Sequence, residues 1–288
     1  MEKILLLLMF STFVVLFLSQ IYSYNQTKKS VKAIVITPTM QMPTLTPTFT
    51  LTPSLITLRT SMPTSTPTPT PFTILKKASY TIAIFGDSMV DTMGEELEYL
   101  QKTLTNKYPQ NKFNLYNYGI GGQNVEQGLA RFESTFVNRE RQYPPIPALA
   151  PDILIIGSFA YNPFSIHDRN RHYSLLRELV AKAKNVSSNV YLLAEIAPLK
   201  IGFGKGKNGV NMPENDAFQH ASHIVEQLDD VINLSTAENI PLINVYYKSR
   251  LDGSFGDPYF VNKDDGIHPS VAGHYLTAES IGERITFD

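Results

Sequence analysis

Four short strings in this 288-residue chain carry residue types that could do chemistry together. Ser88 ends Phe85-Gly86-Asp87-Ser88, directly after the apolar run Tyr80–Phe85. A serine on a tight turn between strand and helix projects its hydroxyl into a crevice, where helix N–H groups can meet negative charge. Asp and Ser are equally common helix caps. In Asn117-Tyr118-Gly119-Ile120-Gly121-Gly122, glycines permit close backbone approach and could aim an N–H at a reacting oxygen, or could make a plain turn. Asn162, in Ala160-Tyr161-Asn162-Pro163, could donate an amide N–H to an oxyanion or serve only as a turn residue. Finally, Asp265-Gly266-Ile267-His268-Pro269 places a carboxylate three residues before a histidine. A histidine base needs such a carboxylate to fix its tautomer, and one short turn can supply both.

These strings need a frame that brings them to one place. From Tyr80 on, apolar β-type runs alternate with helical patterns. Tyr80–Phe85, Phe113–Tyr118, Ile153–Ile156, Val190–Ala197 and Leu242–Tyr246 read as strands. Between them Met93, Leu97, Leu100 and Leu104 recur at helical spacing, as do Val125, Leu129, Phe132 and Phe136. Leu175, Leu176, Leu179, Val180 and Ala183 stripe a third helix. Helices are also expected around Asp216–Leu234 and over Val271–Ile285. Continuous apolar strands alternating with helices predict an α/β fold, a five-stranded parallel sheet with helices on both faces. Such a sheet places its site at the carboxyl ends of its strands, where all four strings fall.

In order and placement, the strings resemble those of the SGNH, or GDSL-type, hydrolase superfamily, from about Ala78 to Asp288. The resemblance implies a flavodoxin-like three-layer α/β/α sandwich and an esterase, lipase or carbohydrate deacetylase activity. It implies Ser88 as nucleophile, with His268 and Asp265 completing the triad. It implies an oxyanion hole from the N–H groups of Ser88 and Gly122 and the amide of Asn162. One motif departs: the family usually shows Gly-x-Asn-Asp where this chain has Ala-Tyr-Asn-Pro, and proline cannot replace the aspartate in hydrogen bonding. The expected function is a surface-tethered serine esterase acting on acyl esters, with O-acetyl groups of a glycan or cell-wall polymer as candidate substrates. An acyltransferase on the same triad and a catalytically inactive glycan-binding module are the alternatives. The intact Ser88, Asp265 and His268 argue against the module.

Other features yield weaker readings. Gly204-x-Gly206-x-x-Gly209 matches a dinucleotide fingerprint by letters, but it does not open the first strand–helix turn, and Asn208 breaks the P-loop pattern. A mobile loop, serving as a lid, is expected there. Asp216, His220 and His223 share a helix face at metal-ligand spacing, and a polar helix surface is the simpler reading. Tyr161, Phe159 and Phe164 fit either a substrate pocket or the core. His167 and His172 have no evident partner in the sequence. Neither a cofactor nor a metal is expected.

The N-terminal part is of another kind. Ile4–Leu18 is apolar, and no charge appears until Lys28. Residues 1–27 are therefore expected to be a signal-anchor helix, a cleaved signal peptide being the rival. Eight of the 19 prolines fall in 37–73, a Thr/Pro-rich stretch whose only charge is Arg59. Such a chain buries too little apolar surface to offset its ordering entropy, so 28–77 is expected to be a disordered stalk. Residues 78–288 then form the catalytic domain, held outside the cytoplasm. The formal charge of −1 averages unlike parts: from Ala78 on there are 18 Lys/Arg and 25 Asp/Glu, which gives no argument for nucleic acid. The chain has no cysteine, which excludes disulfides, cysteine–zinc sites and a thiol nucleophile.

Overall fold

The apolar runs become the centre of a sheet in the computed structural model, which describes residues 76–287. In chain order the elements begin with β1 (Ser79–Gly86), α1 (Ser88–Asp91), α2 (Glu98–Lys107), β2 (Lys112–Gly119) and α3 (Val125–Arg131). A hairpin of β3 (Phe136–Asn138) and β4 (Arg141–Tyr143) and the short α4 (Ile146–Leu149) precede β5 (Ile153–Gly157), α5 (Arg169–Lys184) and β6 (Val190–Ala194). Then come α6 (Glu214–Ala237), β7 (Leu242–Asn244), α7 (Val245–Lys248), β8 (Arg250–Asp252), β9 (Phe255–Gly256), a 3-10 turn (Pro258–Phe260) and α8 (Val271–Arg284).

The main sheet has five parallel strands in the order β2-β1-β5-β6-β7. β5 and β6 are buried at every residue, as apolar strands covered on both faces must be. Helices α2 and α8 pack together in one layer, and α3, α5 and α6 in another. The chain leaves β1 in opposite directions to reach β2 and β5, so a crevice opens beyond the carboxyl end of β1. Gly86 pairs with Gly119, and Phe85 with Ile156, which brings the ends of three strands level at that crevice.

Several element boundaries differ from the sequence reading. Phe136 is not on the α3 face: the helix stops at Arg131, and Phe136 opens the β3–β4 hairpin, stacked on Tyr143. Leu97 lies outside α2, in a left-handed conformation at its N-cap, and Met93 sits in the preceding turn. The strand expected to run to Ala197 ends at Ala194, and the one expected to run to Tyr246 ends at Asn244, where Asn244 caps α7. Among the described residues no helix is long and apolar enough to cross a membrane. The expected anchor, 1–27, and the stalk up to residue 75 lie outside the described residues.

Candidate active site

The turn after β1 is built by its own side chains. Asp87 caps α1, accepting the Met89 N–H at 3.0 Å, and this places Ser88 at the helix start. The next loop is fixed by Asn117, which is fully buried. Its amide donates to the carbonyls of Val90 (2.9 Å) and Gly94 (2.7 Å), and its oxygen accepts the Gly119 N–H (2.8 Å). Gly119 lies so close to α1 that a Cβ there would meet the Asp91 backbone N at 2.2 Å. Only glycine allows this approach.

Two arginines lock both loops from below. Arg131 donates to the carbonyls of Gly86 (2.8 Å) and Tyr118 (2.9 Å), with its guanidinium 4.1 Å from the Phe85 ring centre. Burial lowers its pKa to about 9, countered by the nearby Asp87 carboxylate. Arg141 donates to the Asn117 carbonyl at 2.7 Å and pairs with buried Asp91. Asn138 bonds the same carboxylate (3.1 Å) and the Gly119 carbonyl (3.0 Å). The sequence reading missed all three residues. Their partners are mostly backbone carbonyls distant in sequence, which leave no local spacing to detect.

The turn after β5 has its own supports. The Ser158 N–H donates to Glu195 Oε1 at 2.9 Å, and the Ala160 N–H to Ser158 Oγ at 3.0 Å. His172 Nε2 meets the Ser158 carbonyl at 2.9 Å, which supplies a partner that its sequence context did not suggest. Asn162 then donates from Nδ2 to Asp87 Oδ2 at 3.0 Å. The support expected from an aspartate after Asn162 is absent, because Pro163 stands there, and Asp87 takes its place. An amide nitrogen carries two hydrogens, so a second N–H of Asn162 remains.

The last loop contributes Asp265 and His268. His268 Nδ1 lies 3.0 Å from Asp265 Oδ2, while Asp265 Oδ1 accepts the N–H groups of Ile267 (2.7 Å) and His268 (2.9 Å). Ser88, Gly122, Asn162 and His268 all line one cavity of about 390 Å³, with Asp265 behind the histidine. Gly122 has a φ of +75°. Its neighbour Gly121 lies against Ser88: a Cβ there would stand 3.7 Å from Ser88 Cβ.

Tyr161, Phe203, Val210, Met212, His220 and Ile267 form the walls. Tyr161 is thus a pocket residue, its hydroxyl donating to the Ile196 carbonyl at 2.7 Å, whereas Phe159 is core. The Gly204–Gly209 stretch is held rather than loose. Gly204 N–H donates to the Gly266 carbonyl (3.0 Å) and Asn208 N–H to that of Asp264 (2.8 Å), so it buttresses the loop carrying Asp265. Of the residues at metal-ligand spacing, His220 faces the cavity and stacks on Phe203, while His223 stacks on His167. His167 in turn meets Glu226 at 2.7 Å.

Two buried carboxyl groups underlie the site. Burial raises Asp87 to about 6, opposed by the Met89 N–H, the Asn162 amide and His268. Burial also raises Glu195, to about 8, and the Asp87 charge adds to the effect. The Glu195 signal was present in the sequence as an acid at the end of an otherwise apolar run, Val190–Ala197.

The chain was compared with known proteins. A model of the GDSL-like Lipase/Acylhydrolase family matches residues 84–276. Among curated proteins none matches. Among solved structures, a lipase/acylhydrolase from Enterococcus faecalis is 18% identical with a TM-score of 0.52, over 72% of this chain and 95% of that one. A variant of Axe2, an acetyl-xylooligosaccharide esterase from Geobacillus stearothermophilus, is 19% identical with a TM-score of 0.51, over 74% and 98%. The acetyl xylan esterase AlAXEase is 15% identical with a TM-score of 0.51, over 72% and 100%. At these identities the likeness is one of fold. The family match covers about two thirds of the sequence and both ends of the site, from before Ser88 to beyond His268, and the chain belongs to the GDSL-like lipase/acylhydrolase (SGNH hydrolase) family.

Proposed function

We propose that this protein is a serine esterase that hydrolyses short acyl esters, with O-acetyl groups on a glycan as substrate. One observation carries the reading: Ser88, Gly122, Asn162 and His268 line a single cavity, with Asp265 holding His268 from behind. In the reaction Ser88 Oγ attacks the acyl carbonyl carbon and its proton passes to His268 Nε2. Asp265 keeps the other ring nitrogen protonated and stabilises the imidazolium. The N–H groups of Ser88 and Gly122 and the free amide N–H of Asn162 meet the oxyanion. His268 then protonates the leaving alcohol as its C–O bond breaks. Water, deprotonated by the same histidine, hydrolyses the acyl-enzyme and frees the carboxylic acid. The acetyl preference rests on the acetylxylan esterases that share the fold. The N-terminal apolar segment and the Thr/Pro stretch support a domain tethered outside the cytoplasm.

The test is an acetyl-to-octanoyl ester panel with a fluorophosphonate probe on the full-length chain and on Ser88→Ala. Turnover falling with acyl length, and labelling lost in the variant, is the expected result. Absence of both turnover and Ser88-dependent labelling would overturn the reading. Protease accessibility of the domain on intact expressing cells tests the tether.

A further inference from the structure

Every loop around the cavity is accounted for by the chemistry above except the tip of the β3–β4 hairpin. Asn138 pairs with Arg141 across that hairpin, leaving Arg139 and Glu140 as its two-residue turn. Arg139 adopts a φ of +54° there and lines the cavity wall. Its side chain is 68% exposed, and its guanidinium stands 3.4 Å from Asp91 Oδ2. That carboxylate is already engaged: Arg141 and Asn138 both donate to its Oδ1. Two guanidiniums, Arg139 on the wall and Arg141 buried behind it, therefore share the single Asp91 carboxylate. Among the described residues lining this cavity, Asp91 is the only acid. On the opposite wall burial lowers the pKa of His220, which leaves that side uncharged at neutral pH.

The carboxylate that Arg139 contacts is close to Ser88. A Cβ on Gly121 would be 3.7 Å from both Ser88 Cβ and Asp91 Oδ2, so a single glycine separates Ser88 from the carboxylate on which Arg139 rests. The domain from Ala78 on carries 18 basic and 25 acidic residues. Long-range attraction of anions is therefore not on offer, and recognition must come from contact. A guanidinium presents paired N–H donors that match a carboxylate in a planar, bidentate way.

Resting on the esterase reading, we propose that Arg139 is a specificity residue and that the substrate is an acyl ester whose alcohol part carries an anionic group, the uronate carboxylate of an acidic glycan fitting best. Substrate binding exchanges the loose Asp91 contact for a bidentate one, while Arg141 keeps Asp91 neutralised.

The test uses matched sugars. A mono-O-acetyl galacturonic acid glycoside and the corresponding mono-O-acetyl galactose glycoside differ only at C6, and the galactose 6-phosphate analogue separates carboxylate from phosphate recognition. In the full-length chain we expect kcat/KM to favour the galacturonate over the neutral sugar by about tenfold or more, through KM, and the preference to shrink with added salt. The variant is Arg139→Asn, because asparagine tolerates the left-handed backbone at this position. It should reduce that ratio by about tenfold, and Arg139→Lys should retain part of it. Equal turnover of the acidic and neutral sugars by the wild type, a preference for phosphate over carboxylate, or a ratio unchanged in Arg139→Asn overturns the proposal. Should no ester be cleaved and Ser88 not be labelled, the esterase reading fails by itself. Calorimetric binding of the galacturonate glycoside then decides: binding about tenfold weaker in Arg139→Asn supports the anionic subsite, and equal or absent binding removes it.

Discussion

Two aspartates stand behind the same cavity, one after β1 and one before α8, and they are held in opposite ways. Asp265 sits on a loop, its side chain 15% exposed, and accepts three N–H groups, two from the backbone and one from the His268 ring. Asp87 is buried at the start of α1 and accepts two, from Met89 and Asn162, and its charge acts on buried Glu195. A carboxylate that steers a histidine must hold the ring by accepting its N–H, and two backbone donors fix Asp265 in that orientation. A carboxylate that only orients an amide can tolerate burial, which raises Asp87 to about 6. On the proposed esterase reading, one fold uses the same side chain once to steer a base and once as a strut.

The comparison is broken most sharply at Asp265. Asp265→Asn leaves the shape and inverts the hydrogen-bond preference, so His268 takes the wrong tautomer. A loss of about 10³–10⁴ in kcat is expected, with little change in thermal stability. A loss under tenfold would remove Asp265 from the triad. Asn162→Ala comes next. It deletes the proposed oxyanion donor and should cost about 10²–10³ in kcat with KM nearly unchanged. The strut itself, tested as Asp87→Asn, should cost roughly tenfold in kcat, because Asn162 loses its acceptor while the donor itself remains. If Asp87→Asn is as damaging as Asp265→Asn, the two carboxylates are not divided as the geometry divides them.

How far the sequence carries depends on whether a residue acts through its neighbours in the chain. The five strands were readable because strands covered on both faces are unbroken apolar runs, such as Ile153–Ile156. Each catalytic candidate was readable because Gly86-Asp87-Ser88 and Asp265-x-x-His268 are local strings at strand ends. The β3–β4 hairpin was not. Its strands have three residues each, too few for a period-2 pattern, and Phe136 happens to continue the helical spacing of Phe132. The strut between Asp87 and Asn162 spans 75 positions, and Arg131 reaches Gly86 across 45, so no spacing rule could have found either. His220 looked like a polar helix face because what it meets, Phe203 and the Tyr161 carbonyl, comes from two distant loops.

Glu195 gives the smallest effect on activity and the clearest test of burial. Its Oε1 accepts the Ser158 N–H, and its Oε2 has no hydrogen-bond partner among the described residues. With the folded-state value raised from 4.5 to about 8, Glu195 keeps its proton at neutral pH. The unfolded chain gives that proton up above about pH 4.5. Between these limits the folded state binds more protons than the unfolded one, so stability falls as pH rises from about 4.5 to 8 and levels off beyond. Asp87 adds a similar decline between 3.8 and about 6, and the two titrate as a pair. Glu195→Gln copies the protonated form and preserves the acceptor for Ser158. It should change kcat at pH 7 by less than about twofold, since it alters neither charge nor the turn that carries Asn162. Urea unfolding at pH 5, 7 and 9 should show a shallower loss of stability in the variant than in the wild type. Parallel pH curves for the two proteins would mean that Glu195 is ionised in the fold, and that the strut works against a second full charge.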